Sequence, residues 1–270
     1  MKKLLAIVLA LTFAAAAAGC AKDEVVENPV DEAPVVENEV EANPEVEVEA
    51  DVEVEPEVEA EVVVMTHDEY MAAEFDTEVV VEAYVQGKQS WWDNKATVYA
   101  QDENGGYFFY EMACSEEDYA KLEVGTKIRV TGYKSEWAGE IEVMEATFEL
   151  VEGDTYVAEP VDVTALLGTE ELVAHQNELV TFKGLTVVGI EYKNGEPGDD
   201  IYVKVSDGNA EYDFCVERYL TGPETEVYAA VGALAAGDVV DVEGFLYWYE
   251  GANTHITSVA VVNSEAAVAE

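Results

Sequence analysis

The sequence of 270 residues predicts an all-β protein with short helices, built as two tandem five-stranded units behind a disordered acidic stalk. Three observations carry this expectation. Residues 21–64 consist almost only of Glu, Val, Ala, Pro, Asn and Asp, with seventeen acids against one lysine. From Glu78 onward, short β-branched and aromatic runs alternate with polar residues at strand period and are divided by turn-forming clusters. The run from Glu78 to Leu150 then returns in altered form from Glu178 to Asn263, which is the mark of a repeated domain.

Met1-Lys2-Lys3, the apolar run Leu4 to Ala18 and the small residues before Cys20 read as an export signal over 1–20. The run is shorter than the ~20 residues a spanning helix needs. Its ending, Ala17-Ala18-Gly19-Cys20, resembles the lipobox of bacterial lipoproteins. That resemblance implies lipidation at Cys20 and a chain exported and anchored to the bacterial cell membrane or cell surface, with plain secretion as the alternative. The spacer 21–64 has strand-like Val/Glu alternation, but Pro29, Pro34, Pro44 and Pro56 interrupt it and its like charges find no partner. It is expected to be disordered, with a reach of at most about 150 Å.

The first domain is expected over 65–154. Thr66 caps a helix from His67 to Glu74, with Glu69 at the capping-box position. Val79 to Val85 is a strand, and Ala96–Gln101 and Tyr107–Met112 form a hairpin around Asp102-Glu103-Asn104-Gly105-Gly106. Ser115 opens a helix that ends near Leu122 and is stopped by Gly125, and the strands Lys127–Tyr133 and Glu140–Leu150 follow. Residues 155–177 read as a helical packing bridge, with Asp162 and Thr169 as caps and Leu166, Leu167, Leu172 and Val173 as buried residues. The second domain occupies 178–263 and a tail 264–270. Leu122, Gly125, Gly132 and Tyr133 match Leu234, Gly237, Gly244 and Phe245 at a constant offset of 112. Earlier offsets are smaller, so length is absorbed around Asn194–Asp200 and Thr221–Ala233.

Five strands with a helix between the third and fourth, and the phrase Leu-x-x-Gly-x-x-[Ile/Val]-x-Val-x-Gly-[Tyr/Phe] leading into the fourth, resemble the OB-fold. The glycine ends the helix, and the later one suits the sharp bend that closes a small barrel. The chain is most similar to exported bacterial OB-fold proteins, including tandem-domain lipoproteins of gut bacteria. The resemblance implies two OB-fold-like barrels and says little about the ligand.

In OB-folds the binding face is usually strands two and three with their flanking loops. Mapped here, that face comprises Trp91, Trp92, Lys95, Tyr99, Tyr107, Phe109 and Trp137. Adjacent strand residues point to opposite faces, so Trp91 and Trp92 cannot both enter one core unless the chain turns there. Two readings stay open: a stacking platform, or a plug for the barrel end. The second copy has Tyr192, Tyr202, Tyr212, Tyr247, Trp248 and Tyr249 but no tandem tryptophan.

Thirteen basic against 59 acidic residues give a net charge of -46, and the part from Met65 onward is acidic in its own right. Such a field repels phosphate, so nucleic acid is disfavoured as a partner. Lys88 and Lys95 beside the tryptophans are the feature that speaks for it. No cofactor is expected, nor a metal: Asp102-Glu103-Asn104-Gly105 starts like a calcium loop, but its glycine comes too early and Ala113 stands where the closing glutamate belongs. His67, His175 and His255 are scattered, and no nucleophile–base motif is present, so no enzyme is expected. Cys114 and Cys215, one per copy, could pair or be two buried thiols, and the latter is preferred. The leading expectation is a non-enzymatic, envelope-anchored binding or adaptor module for a glycan, peptide or small cationic ligand. Its alternatives are a single-stranded nucleic-acid binder and a structural spacer without ligand.

Overall fold

The computed structural model describes residues 62–262. The export signal, Cys20, the stalk up to residue 61 and the tail from 263 lie outside the described residues.

Five strands close into a barrel: β1 (Glu78–Lys88), β2 (Lys95–Gln101), β3 (Gly106–Ala113), β4 (Lys127–Trp137) and β5 (Glu140–Leu150), in the order β1-β2-β3-β5-β4. Pairings are antiparallel except where β3 meets β5 in parallel at Phe109 and Val143. Strand period decides what fills the interior: Val79, Val81, Ala83 and Val85 of β1, Val98 and Ala100 of β2, and Tyr107 and Phe109 of β3. Two short helices flank the barrel. α1 (His67–Ala72) starts at the expected Thr66–Glu69 capping box and ends two residues early. α2 (Glu116–Lys121) starts at Ser115, whose hydroxyl accepts the Asp118 N–H at 3.1 Å, and closes at Leu122. Gly125 then reverses the chain at φ +89°.

The end of α1 is held by Lys134 of β4. Its ammonium donates to the carbonyls of Met71 at 2.7 Å and Ala73 at 2.8 Å, and lies over the rings of Tyr70 and Phe75. The residue is buried, and desolvation pulls its pKa down. Lys134→Met keeps the stem but strands both carbonyls. We expect it to cost about 2 kcal/mol in urea unfolding.

Where a second five-stranded barrel is expected, the chain forms a six-stranded sheet. It contains β6 (Val161–Asp162), β7 (Leu179–Tyr192), β8 (Ile201–Ser206), β9 (Glu211–Val216), β10 (Val239–Phe245) and β11 (His255–Val261). Their order is β10-β11-β9-β8-β7-β6, and β10 also pairs with β7. The extra strand has a physical cause. The first half of β7 pairs with β10 on one side, while β8 joins only from Thr186, so the Val180–Thr181 edge is free for β6. The rest of the bridge is two 3-10 turns, Thr164–Leu166 and Glu170–His175, with Leu167 and Leu172 buried but Val173 exposed. Asp162 accepts the Thr164 N–H at 3.2 Å in an Asx turn, one residue before the cap position held by Val163, and neither 3-10 turn has the side-chain cap expected of Asp162 and Thr169. A further helix, α3 (Glu226–Gly232), is capped by Thr225 within the inserted segment.

Barrel and sheet belong to one compact unit. A small core of Tyr99, Phe108 and Phe245 lies between them, with the Tyr99 and Phe245 rings stacked at 4.3 Å and 4°. Hydrogen bonds cross the seam from Gln176 Nε2 to the Gly139 carbonyl, from Asn177 Nδ2 to the Ile141 carbonyl, from the Leu179 N–H to Gln101 Oε1, and from the Glu250 N–H to the Ala138 carbonyl. Cys114 and Cys215 are separate, buried, free thiols.

Candidate functional site

The tandem tryptophans sit at the mouth of a tight turn. Trp92 and Lys95 exchange backbone hydrogen bonds of 3.2 and 2.8 Å, and Asp93 and Asn94 between them take φ +47° and +59°, as a type I′ turn requires. This geometry separates the two rings. Trp91 is half-buried, with its indole N–H donating to the Cys114 carbonyl at 2.9 Å, while Trp92 is 67% exposed. Lys88 turns away to α2, where it donates to the Tyr119 carbonyl at 2.6 Å and lies 3.9 Å over that ring.

Trp92 forms part of the rim of a cleft of about 1000 Å³ between the barrel and the sheet. The barrel wall adds Lys95, Thr97, Phe108, Tyr110, Glu111 and Trp137. The opposite wall comes from the outward faces of β8 and β9, Tyr202, Lys204, Asp213 and Cys215, and from Tyr219, Tyr247, Tyr249 and His255. The sequence places these rings outward by alternation: in β8 Ile201, Val203 and Val205 fill the sheet's core, which leaves Tyr202 and Lys204 on the other face.

Of the seven expected site residues, Trp92, Lys95 and Trp137 line the cleft, and Trp91 stands behind its rim. The other three are corrected. Tyr107 and Phe109 point into the barrel core and are fully buried, because β3 shows Phe108 and Tyr110, not their neighbours, to the outside. Tyr99 does face outward but is sealed beneath Phe245. Tyr110, Tyr202, Tyr219 and Tyr249, together with Lys193 and Lys204, complete the lining and were not singled out with the first copy's face. The alternation of β3 and β8 signals Tyr110, Tyr202 and Lys204, whereas Lys193, Tyr219 and Tyr249 lie outside the strands and carry no such signal.

The cleft is polar at its edges and its lysines are engaged. Lys95 reaches Glu111 at 2.5 Å, Lys193 reaches Asp200 at 2.8 Å and Lys204 reaches Asp213 at 2.7 Å. Burial raises the Glu217 carboxyl to about 7, although it accepts the N–H groups of Tyr219 and Leu220. His255 shares a 2.7 Å hydrogen bond with the Tyr99 hydroxyl and stacks on Tyr247 at 4.4 Å. Burial lowers its pKa to about 4, so the imidazole is neutral at pH 7. Cys215, in register with His255, has its thiol pushed far up by burial and stays protonated. A protonated thiol beside a neutral imidazole is a poor nucleophile.

Among the described residues, no group of three or more His, Cys, Asp and Glu is disposed to hold a metal ion. Asp102 spends its carboxylate on the hairpin, accepting from the N–H groups of Asn104 and Gly105 and from the Tyr107 hydroxyl. No helix among the described residues is long and apolar enough to cross a membrane.

No family model matches the sequence, and no curated protein does. Similar solved structures include a murine DNA-binding protein bound with double-stranded DNA, at 12% identity and TM-score 0.33, covering 68% of this chain and 96% of that one. A second is a replication protein A heterotrimer bound to single-stranded DNA, at 12% identity and TM-score 0.28, covering 62% of this chain and 43% of that one. A third is a HINa domain in complex with 20bp double-stranded DNA, at 14% identity and TM-score 0.28, covering 52% of this chain and 74% of that one. At this level the likeness assigns no ligand. Proteins described as DNA-bound stand among these neighbours, and the expectation that disfavours nucleic acid as a partner is withdrawn. The physical weakness of that expectation is that it took total charge as decisive, whereas ligands bound by stacking depend little on it.

Proposed function

We propose that this chain is a non-enzymatic binding module of two OB-like barrels whose shared cleft holds single-stranded nucleic acid base-first. The observation that carries the reading is the gathering of exposed rings from both halves around one cleft: Trp92, Tyr110 and Trp137 from the first, Tyr202, Tyr219 and Tyr249 from the second. Support for a second barrel comes from the pairing of β7 with both β8 and β10, which repeats that of β1 with β2 and β4. Every base has a planar face, and stacking contributes about 1–3 kcal/mol per base without regard to sequence. The three lysines already hold carboxylates, so phosphates stay at the solvent edge. Binding should therefore weaken only slightly as salt rises, unlike that of a basic protein. A neutral glycan is the second reading, favoured by Glu111, Asp200 and Asp213, carboxylates that can accept sugar hydroxyls beside the rings.

The test is a titration of the protein with a thymidine oligonucleotide and with a neutral oligosaccharide, at low and high salt. The Trp92→Ala, Trp137→Ala double variant is expected to lose at least about tenfold in oligonucleotide affinity. Its urea midpoint should stay in place, since both rings are exposed. Saccharide binding without oligonucleotide binding would establish the second reading. Equal affinity of the variant and the parent protein would remove the cleft as the site.

A further inference from the structure

Glu140 opens β5 at the seam between barrel and sheet, and it is fully buried. Its Oε2 accepts the Trp248 backbone N–H at 2.8 Å and the Gln176 amide at 3.3 Å, both from the other side of the seam. Its Oε1 has no partner. Among the described residues four more buried oxygens share that state: the side-chain carbonyls of Gln176 and Asn177, which can only accept, and the hydroxyls of Tyr70 and Thr254.

The titratable groups that bear on this carboxyl are Glu142 on its own strand, Tyr70 of α1, Tyr99 of β2 and Tyr247 just past β10. None is a base. Lys134 of β4 lies 5.5 Å from the Tyr70 ring centroid, and its ammonium is spent on the α1 carbonyls. Unpartnered acceptors without a donor are what a missing proton leaves behind. A hydrogen on Oε1 gives the amide oxygens a donor, whereas a carboxylate would add another bare acceptor and bury an uncompensated charge. Burial accordingly holds this carboxyl well above the usual range, against the smaller, opposing pull of hydrogen bonds such as those from Trp248 and Gln176.

Both cleft walls are attached at this point. Trp137 is the cross-strand partner of Glu140, and Trp248 lies between Tyr247 and Tyr249. Gly139 also packs so closely on the Trp248 indole that a Cβ there would come within 2.7 Å of it.

We propose that Glu140 is a positioning residue for the cleft, a neutral carboxylic acid that fastens the two walls in register and releases them when it ionises. The consequence for the cleft rests on the reading of that cleft as a ligand site; the fastening itself does not.

The experiment compares the full chain with its Glu140→Gln variant from pH 6 to 9, following amide exchange at Asn177 and Trp248. Intrinsic exchange accelerates about tenfold per pH unit, and opening of the seam adds to that slope. In the parent protein these amides are expected to gain more than the intrinsic factor and more than the amides of β1, which carry only the global change in stability. In Glu140→Gln, which is neutral at every pH, they follow the slope of the β1 amides, and in Glu142→Gln the excess over β1 persists. Equal slopes in the parent and Glu140→Gln, or a parent that never exceeds the intrinsic slope, would overturn the proposal. If Glu140→Gln fails to fold, the parent's own excess at the seam over β1 decides. Oligonucleotide affinity over the same pH range is read separately. A latch that opens without any ligand being bound would refute the cleft reading alone.

Discussion

Gly244→Ala is expected to destabilise the protein by about 3 kcal/mol or more, because the new methyl meets backbone that cannot step aside. A Cβ at Gly244 would lie 2.3 Å from the His255 carbonyl oxygen and 2.9 Å from its carbon. The contact is made where β10 and β11 shift register, between Glu243 and Gly244, so relief would require the closing bend to be rebuilt. Gly132 holds a comparable place in the barrel, at a register shift between Thr131 and Tyr133. A Cβ there would approach Val143 Cγ1 at 2.7 Å and the Met144 carbonyl oxygen at 2.8 Å. Its nearest contact is a side-chain methyl, whereas that of Gly244 is a backbone oxygen, so Gly132→Ala should cost less than Gly244→Ala. Gly189→Ala, with open space around the new methyl, is the control and should stay within about 1 kcal/mol of the parent. Urea midpoints measure all three, and a harmless Gly244→Ala would show that β10 and β11 can separate at their bend.

The second large effect is a loss of stability as pH rises toward neutrality, the reverse of ordinary acid denaturation. Burial raises the carboxyls of Glu142 and Glu217 to about 7 in the folded protein, from 4.5 when unfolded. Between those values the folded state holds more protons than the unfolded chain, so stability falls with rising pH and the penalty is complete above pH 7. Each group accounts for about 3 kcal/mol. His255 works the other way. Burial lowers it from 6.5 to about 4, the unfolded chain holds the extra proton in that window, and stability rises with pH by a similar amount. These three groups leave a fall of about 3 kcal/mol from pH 4.5 to 7, steepest above pH 6.5, and Glu140, whose carboxyl burial also raises, deepens it in the same direction. Urea unfolding at pH 5 and pH 7.5 measures it. Glu142→Gln should remove one carboxyl's share, and a parent protein more stable at pH 7.5 than at pH 5 would contradict the assignment.

Local signals in the sequence proved legible where one residue type has one physical role. Thr66 with Glu69, Ser115 and Gly125 cap or stop their helices where expected, since a hydroxyl facing free N–H groups, or a residue free to take positive φ, needs no distant partner. Gly132 and Gly244, matched at one offset in the sequence, both mark register shifts. The facing of β3 was not. Tyr107-Phe108-Phe109-Tyr110 is aromatic on both sides, so alternation offers no contrast between inside and outside, and choosing the wrong parity put Tyr107 and Phe109 at the surface. Tyr99 failed for another reason: it is outward by parity, but Phe245 covers it from more than a hundred residues away. The second wall of the cleft, Tyr202 to Tyr249, was likewise hidden, because only the docking of the sheet against the barrel brings it to Trp92 and Trp137. β6 is two residues long, too short for periodicity to announce it.

The pairing of β6 with β7 takes up the connection between the halves as structure, and the seam bonds hold the rest of it. On the proposed reading of the cleft, two half-sites are thereby presented at a fixed separation, and a ligand long enough to touch both would meet the second at a high effective concentration. The entropy of bringing the halves together is spent during folding, before any ligand arrives. On that reading avidity is built into a single chain, and a severed half would keep its rings while losing more than half of the binding free energy.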